Sequence, residues 1–304
     1  MIRKILKAYK VTGGRMDQHF LVDARTLDRI VDAAELTKDD VVLEIGGGIG
    51  NLSERIARQA GMLYIIEKDP KMVDVLTHRL LESSDGAFPG NAPGGFGFKN
   101  VVIIPGDVME TDLSAVPFNK IVANLPYSIS SDVTFRILEQ KFDMAVLMYQ
   151  YEFAKRLEAS AGSKDYGRLS VHAQYRAKAE ILFDVPKSFF EPAPEVDSAV
   201  IRLIPGPAGY EVRDVPYFLR VTQALFSQRR KKVKNTLINN RVMIGIPELK
   251  EILSDLCPED ITESEIIAMM DKRPEELPPE KIAFLAGFLY DKREEKKNSN
   301  TGKQ

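Results

Sequence analysis

Residues 41–50 (VVLEIGGGIG) join an unbroken run of mostly apolar side chains to a cluster of glycines, and a helical pattern begins at Leu52. Such a run suits a strand buried on both faces. Glycines immediately after it let the backbone turn sharply and come close to a ligand. The pattern recurs along the chain. Residues 26–36 place Leu27, Ile30, Val31 and Ala34 on one helical stripe; residues 52–60 then predict a helix, 63–66 a strand, 71–81 a helix, and 101–105 and 120–123 two more strands. Residues 144–150 predict a fifth strand, followed by a helix at 152–159 and strand-like stretches at 179–185 and 198–204. Strands alternating with helices imply an α/β fold with a mostly parallel sheet, in which ligands bind beyond the carboxyl ends of the strands.

Pro205, Gly206, Pro207 and Gly209 punctuate a boundary, beyond which residues 217–226, 233–239, 247–256, 263–270 and 279–290 read as helices. The predicted organisation is an α/β domain over 1–205, a small all-helical domain over 206–295 and a polar, disordered tail over 296–304. Residues 83–99 (SSDGAFPGNAPGGFGFK) predict an exposed inserted loop. The length of 304 residues, 44% of them hydrophobic, suits about two domains. No apolar run approaches the ~20 residues of a membrane span, and residues 1–11 lack a signal-peptide pattern. A soluble, cytoplasmic protein is expected. One cysteine, Cys257, forms no internal disulfide, and His19, His78 and His172 have no zinc-ligand spacing, so metal-free chemistry is expected.

Three carboxylates map to the sheet's ligand end. Glu67, closing the second strand, is placed to accept hydrogen bonds from ribose hydroxyls. Asp107, after the third strand in Pro105-Gly106-Asp107-Val108, is placed to accept from an adenine amino group. Glu44, inside the first strand, is either a partner for a cofactor ammonium or a structural group. By itself the glycine turn also suits a nicotinamide dinucleotide fold or a purely structural turn.

The fourth strand runs into Asn124-Leu125-Pro126-Tyr127, a segment similar to that of methyltransferases that alkylate exocyclic amino groups of bases. An adenine amino nitrogen is a poor nucleophile because its lone pair is delocalised into the ring. If the Asn124 side-chain oxygen and the carbonyl of Leu125 or Pro126 accept its two N–H bonds, the nitrogen can pyramidalise and aim its lone pair at a sulfonium methyl. No strong base is required. Cys257 lies in the helical region, which disfavours a cysteine-adduct route. Tyr127 can stack on a flipped base.

With these residues in view, the chain resembles the ribosomal RNA small-subunit adenine N6,N6-dimethyltransferases, a class I S-adenosylmethionine methyltransferase family related to the erythromycin-resistance 23S dimethylases. The resemblance is carried by residues 17–21 (DQHFL), 44–50, Glu67, Gly106-Asp107, 124–130 (NLPYSIS), 166–170 (YGRLS), 185–198 (VPKSFFEPAPEVDS) and 226–237 (FSQRRKKVKNTL). It implies a Rossmann-like, mostly parallel seven-stranded sheet, S-adenosyl-L-methionine as cofactor, and dimethylation of two adjacent adenosines near the 3' end of small-subunit rRNA during ribosome biogenesis. The small ribosomal subunit would be the partner of a monomeric enzyme. By the same resemblance Gln18, His19 and Leu21 close over the cofactor, Gly46 and Gly48 meet its methionine part, Glu67 holds the ribose, and Asp107 and Val108 bind the adenine. Asn124, Leu125, Pro126 and Tyr127 hold the target amine, with Asn124 also at the cofactor, and Phe190 packs against the target adenine. His19 stands where many members have asparagine, and Glu195 where a lysine is frequent. Alternatives are a 23S rRNA or DNA adenine methyltransferase, a non-catalytic assembly or transcription factor on the same fold, and a nicotinamide oxidoreductase.

A net charge of -2 argues at face value against a nucleic-acid partner, but it conceals three blocks. Residues 226–241 carry Arg229, Arg230, Lys231, Lys232, Lys234 and Arg241 and no acid; residues 1–25 hold six bases against two acids; residues 246–295 hold fourteen acids against six bases. The first of these, beside the domain boundary, is the expected RNA-binding surface, with Arg229, Arg230, Lys231, Lys232 and Lys234 as its cations.

Overall fold

The computed structural model describes residues 2–9, 11, 18–83 and 95–301. Asp17, most of the 83–99 insertion and residues 302–304 lie outside the described residues. The chain divides into two compact units, one of residues 1–155 and 177–205, the other of 156–176 and 206–304.

In the first unit, α1 (Ile2–Ala8), β1 (Phe20–Leu21) and α2 (Ala24–Ala33) lead into β2 (Val41–Ile45), α3 (Asn51–Gln59), β3 (Met62–Glu67) and α4 (Pro70–Leu76). Next come β4 (Val101–Pro105), β5 (Lys120–Asn124), α5 (Ser130–Leu138), β6 (Met144–Gln150) and α6 (Tyr151–Glu158), the last of which crosses into the second unit. After α7 (Arg168–Arg176), the chain returns through β7 (Ala177–Val185), β8 (Phe190–Glu191) and β9 (Ser198–Pro205). Local chemistry sets several of these starts. Asp23 caps α2 by accepting from Thr26 N at 2.8 Å. Asp69 caps α4 by accepting from Lys71 N at 2.9 Å, with Pro70 pre-set for the first helical position.

Seven strands form one sheet in the order β4-β3-β2-β5-β6-β9-β7; β6, β9 and β7 pair antiparallel and the others parallel. The apolar run of β2 is explained by its central place, with Val42 and Leu43 fully buried. Strand order reverses around β2, between β3 and β5, which is where open α/β sheets carry their ligand crevice. Ile30 and Val31 of α2, Ile56 of α3 and Met72 and Val75 of α4 pack with Val42 and Leu63 in the core.

Local structure departs from the sequence expectations at three places. The helix expected over 71–81 is α-helical only to Leu76 and continues as a wider π-type turn, Thr77–Leu81. There Arg79, 1% exposed, sits 3.5 Å from Glu54 and 3.4 Å from Asn51 Oδ1. The end of the inserted segment doubles back on this turn, with Phe98 N donating to Leu80 O and Gly97 N to Glu82 O. A two-residue antiparallel ladder, Phe20↔Glu191 and Leu21↔Phe190, had no signal at its length.

The second unit contains α7, then α8 (Val215–Phe226), α9 (Val233–Asn239), α10 (Leu249–Ser254), α11 (Ile261–Met270) and α12 (Pro279–Thr301). Residues 156–176, placed by sequence with the α/β domain, belong here because their apolar side chains do: Tyr166 and Val171 are buried with Phe218, Val221 and Leu285, and the Tyr166 hydroxyl donates to Leu277 O at 2.9 Å. Helix α12 runs through Thr301, over most of the segment expected as a disordered tail; Glu294 pairs with Lys297 at 2.9 Å, an i,i+3 support for an exposed helix. No described helix is long and apolar enough to cross a membrane.

Candidate active site

A cavity of about 350 Å³ opens at the carboxyl ends of the strands around the switch point. Its walls come from residues 44–49, 66–69, 106–108 and 124–129, and residues 18–21 form a strap along another side. Gln18, His19, Leu21, Gly46, Gly48, Glu67, Asp107, Val108, Asn124, Leu125, Pro126 and Tyr127 are brought together on this wall. Phe190 is not. Its backbone pairs with Leu21, and its ring, 4% exposed, lies in the hydrophobic core. Phe190 thus stands behind the cavity-lining Leu21 rather than on the wall itself.

The glycine turn is sterically committed. A Cβ added to Gly47 would lie 2.6 Å from Ile65 Cγ2. Gly48 has φ +54°, and a Cβ there would meet the Phe20 ring at 3.2 Å. Gly48 N donates to Glu67 Oε2 and Asp69 N to Glu67 Oε1, each at 2.9 Å. Both oxygens are thereby fixed while keeping lone pairs for ribose hydroxyls. Burial pushes the Glu67 pKa above its ordinary value, against the pull of those N–H groups. Glu44, 1% exposed, has its pKa raised to about 8 by burial, with Ser53 opposing and Glu67 adding to the shift; its Oε2 has no hydrogen-bond partner among the described residues. A buried carboxyl with an open oxygen on the cavity wall is a group that a bound ammonium could pair with.

Asp107 is held from two sides, by Met109 N on Oδ1 at 2.9 Å and Lys68 Nζ on Oδ2 at 2.7 Å. The Lys68 bond, more than that from Met109, holds its carboxyl below the usual range. At the fourth wall, the Asn124 Nδ2 donates to His19 O at 3.4 Å, leaving Oδ1 as the acceptor. The Pro126 carbonyl accepts from Ile129 N at 3.4 Å and Ser130 Oγ at 3.3 Å. The Tyr127 hydroxyl lies 2.6 Å from Ser198 Oγ, and burial raises its pKa.

A glycine cradle, a ribose-ready carboxylate and an oriented asparagine share one cavity, and the sequence profile described as Ribosomal RNA adenine dimethylase matches residues 14–250. The chain belongs to that family. The probable ribosomal RNA small subunit methyltransferase A of Methanosarcina mazei is 50% identical over 291 residues, covering 96% of this chain and 98% of the relative. Its counterpart in Methanococcoides burtonii is 45% identical over 293 residues, covering 96% and 99%. Among solved structures, a dimethyladenosine transferase from Plasmodium falciparum aligns with a TM-score of 0.69 at 26% identity, covering 90% of this chain and 98% of that one. The 23S rRNA methyltransferase ErmE, at TM-score 0.57 and 23% identity over 89% and 99%, shares the fold. The architecture is that of a class I methyltransferase.

In this dimethylase-family chain, several site residues carried no usable sequence signal. Ser198, which meets the Tyr127 hydroxyl at 2.6 Å, comes from a strand distant in sequence, and Asn51, directly after the glycine turn, donates Nδ2 to Leu21 O at 3.3 Å. Asp69, which accepts from Gln18 Nε2 at 2.8 Å, was findable as the residue before Pro70, a helix-cap position. The basic run of the second unit divides: Arg229 is partly buried and pairs with Glu275 at 2.6 Å, whereas Arg230, Lys231, Lys232 and Lys234 are exposed, Lys232 in a surface pair with Asp271 at 2.8 Å.

Proposed function

We propose that this chain methylates N6 of adenosines in small-subunit ribosomal RNA with S-adenosylmethionine as donor, placing two methyls on each of two adjacent adenosines near the 3' end. The observation that carries the reading is the Asn124 amide: its Nδ2 is engaged by His19 O, which leaves Oδ1 to accept from an amine in the cavity. Bound S-adenosylmethionine supplies a sulfonium methyl as the electrophile. Glu67 would hold its ribose and Asp107 its adenine, and Glu44, protonated in the free protein, would give up its proton on pairing with the ammonium.

Asn124 Oδ1 would take one N–H of the target amine. The Pro126 carbonyl already receives two donors, which favours the Leu125 carbonyl for the other N–H. These bonds draw the nitrogen out of conjugation and direct its lone pair to the methyl, as positioning rather than base catalysis. Tyr127 is no base: burial keeps its phenol protonated. Its ring offers a face for the extracted base. Each transfer releases one amine proton to water, and the singly methylated amine then retains one N–H for either acceptor, so the same geometry serves the second methyl.

Incubation with labelled cofactor and unmethylated small subunits is the test. Label at adenine N6 of the small-subunit rRNA is expected; label elsewhere, or none, overturns the reading.

A further inference from the structure

His19 occupies an unusual place in the cavity wall. Its backbone carbonyl accepts from Asn124 Nδ2 at 3.4 Å, while its ring stacks on Tyr127, with centroids 5.8 Å apart and planes at 24°. Its Nδ1 lies 2.9 Å from Pro192 O; a carbonyl only accepts, so Nδ1 carries the proton. One residue thus touches both side chains that would hold the target amine and ties them to the segment after Phe190. The strap behind it is anchored by the Phe20↔Glu191 and Leu21↔Phe190 pairs, and by Val22 N donating to Phe189 O at 2.7 Å.

We propose that His19 is a positioning residue for the target adenine: its imidazole, locked to Pro192, sets the plane of the Tyr127 ring on which the base stacks. The proposal rests on the methylation reading above and reassigns His19 from closing over the cofactor to shaping the base pocket. The Tyr127 ring is otherwise restrained at its far end, where its hydroxyl meets Ser198 Oγ. One hydrogen bond at the tip leaves rotation about the ring's long axis open, and a stacked imidazole removes that freedom. The two contacts of the imidazole are chemically separable: phenylalanine keeps a ring and loses the bond to Pro192, whereas asparagine keeps a donor and loses the stack.

Full-length His19→Ala, His19→Phe and His19→Asn proteins test this by three measurements: calorimetric titration with S-adenosylhomocysteine, transfer to unmethylated small subunits at saturating cofactor, and NMR of the Tyr127 ring, assigned by its loss in Tyr127→Phe. His19→Ala is expected to shift the Tyr127 resonances and slow transfer about tenfold or more, with mono-methylated product accumulating, while cofactor affinity stays within about threefold. His19→Phe is expected to keep the Tyr127 resonances closer to wild type than His19→Asn does. If the alanine variant does not fold, this pair carries the comparison. Cofactor affinity falling in step with transfer would make His19 a cofactor contact and overturn the proposal. So would Tyr127 resonances or transfer rates left at wild-type values. If the wild type itself labels no adenine N6, the functional reading fails, and the Tyr127 resonances still decide whether His19 holds that ring.

Discussion

Lys68 Nζ lies 2.7 Å from Asp107 Oδ2, so the carboxylate proposed to meet the cofactor adenine is already paired with an exposed cation. Met109 N takes the other oxygen. In Asp107→Asn a single amide oxygen must serve Met109 N, Lys68 Nζ and the adenine amine, because the NH2 that replaces the second oxygen is a donor. S-adenosylhomocysteine affinity, measured by calorimetry, is expected to fall about tenfold or more. Lys68→Ala removes an exposed ion pair and is expected to leave the denaturation midpoint unchanged within error.

Asn124→Ala removes the oriented acceptor while leaving Glu67, Asp107 and the glycine turn intact. Transfer to small subunits is expected to drop by about a hundredfold or more, with cofactor affinity largely retained. Equal activity in the variant would refute the amine geometry.

Glu44 links folding to pH. Its folded pKa is raised from 4.5 to about 8, so between those values the native protein holds a proton that the unfolded chain has released. Stability therefore falls as pH rises through that window and levels off above the folded pKa. Urea denaturation at a series of pH values checks this. Glu44→Gln is expected to flatten the dependence and to be more stable than the wild type at pH about 8.5, by on the order of a few kcal/mol in the cofactor-free protein.

The exposed cations of the second unit are expected to act as phosphate contacts. Replacing Lys231 and Lys234 by glutamate should weaken rRNA binding and reduce its salt dependence, as read by filter binding across a salt series. Arg229→Ala instead leaves half-buried Glu275 without its partner and is expected to lower the thermal midpoint of the protein.

The strands and the rim of the cavity were legible because each has a short-range signature. A buried parallel strand reads as an apolar run, and glycines or carboxylates at its end stand next to it in sequence, as at Gly46, Glu67 and Asp107. Long-range partners leave no such mark. Nothing near Tyr127 indicates Ser198, and nothing near His19 indicates Pro192. Phe190 shows the same limit from the other side: an aromatic in a proline-rich segment reads alike whether it lines a pocket or fills a core, and it is the burial of its ring that the fold adds. The placement of 156–176 was hidden because helices of either unit share one amphipathic pattern; the burial of Tyr166 is what assigns it.

The bond between His19 and Pro192 joins residues 173 positions apart. During synthesis the glycine turn, Glu67, Asp107 and Asn124 all leave the ribosome before Pro192 and Ser198 do. A nascent chain thus has the floor of its binding site well before the segment that fastens the strap. A chain cut before Pro192 is therefore expected to keep the floor of the site and to lack the bond that fastens the strap.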